Sequence, residues 1–168
     1  MAGVLSPLET AAALLPALAA NGAPVLLRGR GTPLDGGRRW LDGRPLLGPG
    51  KTYEGLLAGF TAGAVVAYII SAAAAAPLLA PLGAAAAMGA LLGDMLGAFI
   101  KRRIGLPRGA PAPLLDQLDF YAGALLALHA AGATVDPITA ALGAPLVVLL
   151  HRATNMAAYR LGLKNVPW

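Results

Sequence analysis

The sequence predicts an all-α, polytopic membrane protein of about five transmembrane helices, and three observations carry the prediction. Hydrophobic residues make up 57% of the chain and charged ones only 12%, with a mean hydropathy of +0.67, far from a soluble domain. Apolar stretches close to the ~20 residues that cross a bilayer core alternate with polar or Gly/Pro-rich breaks. With five spans, every Lys and Arg falls at or beside one face of the membrane, the asymmetry of an N-outside, C-inside protein. The formal charge of +5 and pI near 10.1 would suggest nucleic acid for a soluble domain. Here topology and anionic substrates account for the basic residues, so nucleic acid is not an expected partner.

Residues 5–27 are apolar apart from Ser6, Glu9, Thr10 and Asn21 and form the first span. Pro16 and Pro24 are the points where it can bend, and no basic stretch ahead of it marks a cleaved signal. Residues 28–53 are the main polar segment, with six basic residues, Asp35, Asp42 and many Gly and Pro, a composition that makes a loop. The second span covers 54–76, ended by Pro77 and Pro81, and the third covers 82–100. A basic loop, 101–114, leads to a fourth span at 115–131 and, after a turn at 132–136, a fifth at 137–159. All of 1–168 is one transmembrane domain, with both long loops cytoplasmic. Gly55, Gly59 and Gly63, and again Gly89, Gly93 and Gly97, recur every four residues. Such spacing bares one helix face for close packing, with each other or with another neighbour. A second copy of the chain is one option for that neighbour, and plain abundance of Gly, 22 in all, is the alternative explanation.

The chemistry points to residues 93–120, GDMLGAFIKRRIGLPRGAPAPLLDQLDF. Asp94 lies inside an apolar run, where a carboxylate is costly without a cation, a partner or a water-filled cavity. Lys101 follows two helical turns later, about 10 Å along the axis and on the same face. Asp116 and Asp119 are three apart, on one face of the next helix. Folded back across the loop, the two helix ends could bring all three carboxylates to one divalent metal, in a cavity rimmed by Lys51, Lys101, Arg102, Arg103 and Arg108. The chain has no Cys and two His, so a metal must be held by oxygen, and Mg2+ suits such ligands and phosphate substrates. The competing explanation is that Asp116 and Asp119 cap a helix and pair with loop arginines.

Residues 48–55, GPGKTYEG, contain Gly-Lys-Thr but lack the upstream Gly and the strand-to-helix setting of a P-loop. What remains is a flexible turn feeding a helix N-terminus, with Lys51 and Thr52 placed to contact a phosphate and Glu54 to orient Lys51 or add metal affinity. Lys51 could equally be a solvated interfacial anchor. His129 reads as a span residue without a partner, His151 and Arg152 as neighbours of a headgroup, and Asn155 as a hydrogen-bonding group within the bundle.

Gly93-Asp94, Lys101-Arg102, Asp116-Gln117-Leu118-Asp119 and Lys51-Thr52-Tyr53-Glu54-Gly55 together resemble the CTP:phosphatidate cytidylyltransferase superfamily of integral membrane enzymes. The run from Arg108 to Phe120 and the short chain resemble its archaeal branch, the CDP-archaeol synthases. The resemblance covers roughly 43–121. The broader signature has a Ser where this chain has Ala98, and Lys-Asp and His-Gly-Gly runs that are absent between Arg103 and Asp116; these departures fit the archaeal branch. The resemblance implies CTP and a phosphorylated isoprenoid ether lipid, 2,3-bis-O-(geranylgeranyl)glycerol 1-phosphate, as substrates, CDP-lipid and pyrophosphate as products, and a requirement for Mg2+. Asp94, Asp116 and Asp119 would then be the metal ligands, with Lys101 completing the catalytic set. Lys51 and Lys101 would hold the triphosphate with Thr52 assisting, and Arg102, Arg103 or Arg108 the leaving group or lipid phosphate. The expected setting is the cell membrane, with the site facing the cytoplasm. Two rivals remain at this stage: a small cation channel or transporter using the intramembrane carboxylates, and a structural subunit binding anionic headgroups. The second leaves Asp94 unexplained.

Overall fold

Polar side chains that accept otherwise unpartnered amides mark where several helices begin. Ser6 and Glu9 cap each other's backbone amides, Glu9 N to Ser6 Oγ at 3.3 Å and Ser6 N to Glu9 Oε2 at 2.9 Å, and open helix α1, Pro7–Gly22. Thr52 Oγ1 accepts from Gly55 N at 3.0 Å and opens α2, Tyr53–Ala73. Asp136 Oδ1 accepts from Thr139 N at 2.7 Å and opens α5, Pro137–Arg160. Between them run α3, Leu79–Arg103, and α4, Leu115–Ala130. The structure, a computed structural model, describes residues 3–27 and 30–167; Arg28 of the predicted polar segment lies outside them.

The predicted spans and the observed helices agree in number and order, and the differences have local causes. Helix α1 continues through Pro16, while at Pro24 the chain tightens into a 3-10 turn, Ala23–Leu27, since a proline nitrogen cannot donate to the helical ladder. Pro81 does not stop α3, which begins at Leu79, because a first-turn residue has no intrahelical amide bond to lose. Its last turn carries Lys101, Arg102 and Arg103, cations that suit the negative end of a helix. Four segments are long and apolar enough to cross a membrane: Pro7–Leu27, Tyr53–Ala73, Leu79–Arg103 and Pro137–Arg160. Helix α4, with 16 residues, is about 24 Å long, short of a ~30 Å hydrocarbon core.

Helix α3 is the centre of the bundle, packed against α1, α2 and α4, while α5 packs mainly on α4 and α1. The core joins Leu14 and Ala17 of α1, Leu82, Ala86 and Ala90 of α3, Phe120 and Leu128 of α4, and Val147 of α5. The two glycine stripes serve different neighbours. A Cβ at Gly59 or Gly63 would press on α1, at the carbonyls of Ala20 and Pro16, and on Leu91 and Ala87 of α3. A Cβ at Gly89 or Gly93 would overlap the α4 backbone at Gly123 and Asp119, so α3 and α4 touch main chain to main chain. At the end opposite the long loops, Leu5 N donates to Thr134 O at 2.8 Å and Asp136 N to Thr10 Oγ1 at 2.9 Å, which ties the first and last helices together.

The polar segment before α2 folds back on itself. Antiparallel bridges join Pro33 to Thr52 and Arg39 to Pro45, and the Asp35 carboxylate accepts amides from Gly37, Leu47 and Gly48, each at 2.9 Å. Its tip docks on the end of α3. Trp40 meets Phe99 edge to face at 5.4 Å, Arg103 Nη1 donates to Asp42 at 2.7 Å, and Arg44 donates to the terminal carbonyl of Arg103.

Candidate active site

Along one face of α3, Asp94, Gly97 and Lys101 follow at intervals of three and four residues and so stand in line. Gly97 is where α4 comes closest with a polar group: a Cβ there would overlap the Asp119 carboxylate. Asp119 therefore lies over the gap between Asp94 and Lys101, within electrostatic reach of Asp94, Lys51 and Lys101. Its Oδ1 also accepts from Phe120 N at 2.6 Å. Each of the other two carboxylates holds a lysine. Lys51 Nζ donates to Asp94, across from the loop that precedes α2, and Lys101 Nζ donates to Asp116. Asp116 also accepts from Ala112 N at 2.8 Å, which fixes the loop in front of α4. Leu114, two residues before it, takes φ +66°, a left-handed conformation that a non-glycine residue rarely adopts.

The sequence pairs Asp94 with Lys101 through their shared face; in the structure Lys101 reaches α4 instead, and Asp94 receives its cation from 43 residues away. Among the described residues no three acidic or imidazole side chains gather closely enough to chelate one ion. The lysines interleave with the three carboxylates and satisfy two of them.

Several other predicted site residues have structural partners. The Glu54 carboxylate accepts Thr32 N at 2.7 Å and Thr32 Oγ1 at 3.0 Å, so it fastens the start of the folded loop. Thr52 is buried, with its hydroxyl oxygen used as the α2 cap. Arg103 stacks over Phe99 at 4.8 Å and grips the loop tip at Asp42 and Pro45. Arg102 donates to Pro107 O at 3.3 Å while its buried Nε has no partner among the described residues. Arg108 is exposed beside Gly50, which lines the cleft that holds Lys51 and Asp94.

Two openings flank the carboxylates. A small cleft of about 50 Å³ lies between the 3-10 turn at Pro24, the loop and first turn of α2, and α3, with Lys51, Asp94 and Met95 on its walls. A cavity of about 320 Å³ lies between the start of α4, the second half of α5 and the C-terminal tail, with Asp116, His151 and Asn155 on its walls.

This arrangement of helices and charges has close relatives. A family model described as CarS-like, CDP-archaeol synthase, matches residues 4–168. The chain belongs to the CDP-archaeol synthase family. The CDP-archaeol synthase of Hyperthermus butylicus is 64% identical over the full length of both chains. That of Aeropyrum pernix is 54% identical over 96% of this chain and 92% of the relative. A solved structure described as an intramembrane enzyme for archaeal membrane lipids biosynthesis superposes with a TM-score of 0.84 at 50% identity, covering 92% of this chain and 97% of the other.

Membership in the CDP-archaeol synthase family makes the chain an enzyme and a multi-pass membrane protein, and extends the kinship well beyond the 43–121 stretch read from motifs to both terminal helices. The C-terminal third also contributes polar groups that the motifs did not single out. Asn155 is buried and accepts Lys164 Nζ at 3.0 Å, and the half-buried His151 stacks on Phe120 at 6.1 Å. A sequence signal existed for Asn155 and His151, polar residues four apart on one face of an apolar helix. Nothing local signalled Lys164, which lies beyond the helix and folds back.

Proposed function

We propose that the protein transfers CMP from CTP to the phosphate of an isoprenoid ether lipid of the 2,3-bis-O-(geranylgeranyl)glycerol 1-phosphate type, releasing pyrophosphate, at a site facing the cytoplasm. The observation that carries the proposal is the line Asp94, Gly97, Lys101 on α3, with Asp119 over the gap and Lys51 and Asp116 closing its two ends. Charge of both signs is thereby held at one end of an apolar bundle, where a highly charged nucleotide and a membrane-held lipid phosphate can meet. Family membership supports the same reading.

The reaction asks little of the protein in proton chemistry. An anionic oxygen of the lipid phosphate forms a bond to the α-phosphorus of CTP, the bond from that phosphorus to the bridging α–β oxygen breaks, and pyrophosphate leaves with the electron pair. The attacking oxygen is already ionised, so no general base is needed, and catalysis rests on positioning and charge. In this proposal Lys51 and Lys101 exchange their carboxylate partners for triphosphate oxygens, and Arg108, beside Gly50, steadies the outer phosphates. Arg103, with Glu54 and Thr52, keeps the loop bearing Lys51 in place.

Asp94, Asp116 and Asp119 would hold Mg2+ in this proposal, drawn together from positions that form no three-ligand cluster among the described residues. All are hard oxygen donors, and ammonium groups already sit against Asp94 and Asp116, so cations occupy the environment a metal would take. When bound, Mg2+ would supply positive charge to the phosphates and to the departing pyrophosphate. An ion channel finds less support: the acidic residues at the far end, Glu9 and Asp136, are spent capping α1 and α5.

The test is pyrophosphate release from CTP by detergent-purified protein with Mg2+, comparing a geranylgeranyl ether lipid phosphate, phosphatidic acid and no lipid. Lipid-dependent release that EDTA and Asp94→Asn abolish is the expected outcome. Absence of release from folded protein with either lipid would overturn the proposal.

A further inference from the structure

We infer that the cavity between the start of α4, the second half of α5 and the C-terminal tail seats the phosphate head of the lipid substrate, with Lys164 and Arg152 as its cations. The inference rests on the transferase reading above and gives it a location for the lipid. Helix α5 is fastened to α4 in its first half, where Tyr121 OH donates to Ala140 O at 2.8 Å and Gly143 leaves room for the tyrosine ring. Further along, His151 stacks on Phe120. Next to that contact the 320 Å³ space opens, with His151 on its wall.

The walls of that space are divided by chemistry. Pro113, Met156 and Pro167 are apolar, while Asp116, Arg152 and Asn155 are polar. Asp116 belongs to both this cavity and the carboxylate line, so a phosphate seated here lies beside the transfer centre. A dianion next to a carboxylate needs positive charge nearby. Lys101 supplies it from one side, and Arg152 on the wall and Lys164 from the other.

Lys164 is brought in by the tail. After α5 the chain turns at Gly162, φ +68°, and Leu163 N donates to Ala158 O at 2.8 Å. The half-buried Lys164 side chain then reaches the buried Asn155 carboxamide on the cavity wall. Holding an ammonium group there costs hydration and side-chain freedom; a surface anchor for the tail would not need to incur that cost. The occupant is a lipid rather than the nucleotide because α5 otherwise presents Leu142, Leu146 and Leu149 outward. Isoprenoid chains lying against those residues reach the apolar wall without crossing water, whereas Lys51 and Arg108 mark a separate approach from the loops.

The experiment compares wild type with Lys164→Met, Lys164→Arg, Arg152→Met and Met156→Trp in detergent. Steady-state pyrophosphate release is followed against lipid at saturating CTP and against CTP at saturating lipid. Calorimetric binding without CTP uses the ether lipid phosphate, the same diether lipid as its free alcohol, and inorganic phosphate. Losing one charge-assisted contact should raise the KM for the lipid phosphate, and weaken its binding, about tenfold in Lys164→Met and Arg152→Met, with the KM for CTP unchanged and Lys164→Arg near wild type. Met156→Trp, which fills the space, should act in the same direction. Wild type should bind the lipid phosphate more tightly than either the alcohol or inorganic phosphate.

A rise in the KM for CTP alone, or unchanged lipid KM and binding in folded Lys164→Met, Arg152→Met and Met156→Trp, would overturn the assignment. If wild type binds the lipid phosphate and releases no pyrophosphate, the transferase reading fails, and the binding series still decides whether this cavity is the lipid seat.

Discussion

Lys51 sets the character of the site at the scale of single residues, because its ammonium group holds the Asp94 carboxylate. Both side chains keep roughly a quarter to a third of their surface exposed, 25% and 31%, so the pair contributes about 1 kcal/mol or less to stability. Its main consequence is competitive: a carboxylate held by a lysine is poorly available to a free metal ion. Lys51→Met should therefore bind Mn2+ without nucleotide several-fold more tightly than wild type, read by electron paramagnetic resonance, while its KM for CTP rises about tenfold and its Tm in detergent stays nearly constant. Unchanged Mn2+ affinity in the folded variant would mean that Asp94 is not a metal ligand. Asp94 was legible in the sequence because a carboxylate in an apolar run demands a partner. The identity of that partner was not, since helical periodicity relates Asp94 to Lys101 and says nothing about a loop lysine 43 residues earlier.

At the scale of elements, the α3–α4 contact and the folded loop place those residues, and they respond differently to change. Gly93 meets the α4 backbone, whereas Gly97 meets the Asp119 carboxylate. Gly93→Ala must push the helices apart and should destabilise the protein by about 1–3 kcal/mol, the range for overpacking, seen as a lower Tm. Gly97→Ala needs only to displace a side chain, so it should largely spare Tm and sharply reduce pyrophosphate release; equal loss of stability in the two variants would show that Gly97 serves packing alone. The loop depends on Asp35. Burial by itself would raise its pKa, but the amides of Leu47, Gly48 and Gly37 win and hold it below its ordinary value of 3.8. The resulting stabilisation is complete only well above the ordinary carboxylate pKa and is lost as pH falls through the lowered one. Trp40 emission, isolated by subtracting the Trp40→Phe variant, should shift to the red in that acid range, and Asp35→Asn should remove the transition. The loop was legible as a loop from its Gly, Pro and charge content. Its docking on Phe99 and Arg103 was not, because aromatic and cation–π contacts between distant segments leave no local pattern.

For the whole molecule, the sequence revealed the helices because four of the apolar runs are long enough for the bilayer and each break carried Pro, Gly or charge. It understated α5, whose first half packs on Tyr121 while its second half and the tail line a cavity, since no motif marks Lys164. Orientation is the property in which composition and structure meet. Every Lys and Arg in the sequence belongs to the loop before α2, the end of α3 and its following loop, or the second half of α5 and the tail. Those among the described residues lie at the carboxylate end of the bundle, and the positive-inside rule predicts a cytoplasmic position for that end. The chain has no cysteine, so single cysteines report on topology without background. Leu41→Cys, at the 94% exposed loop tip, should resist a membrane-impermeant maleimide in intact cells and react after permeabilisation. Ala74→Cys, in the turn between α2 and α3, should react in intact cells. The reverse pattern would place the carboxylates outside, away from cytoplasmic nucleotide, and would remove the physical basis for CTP as the substrate.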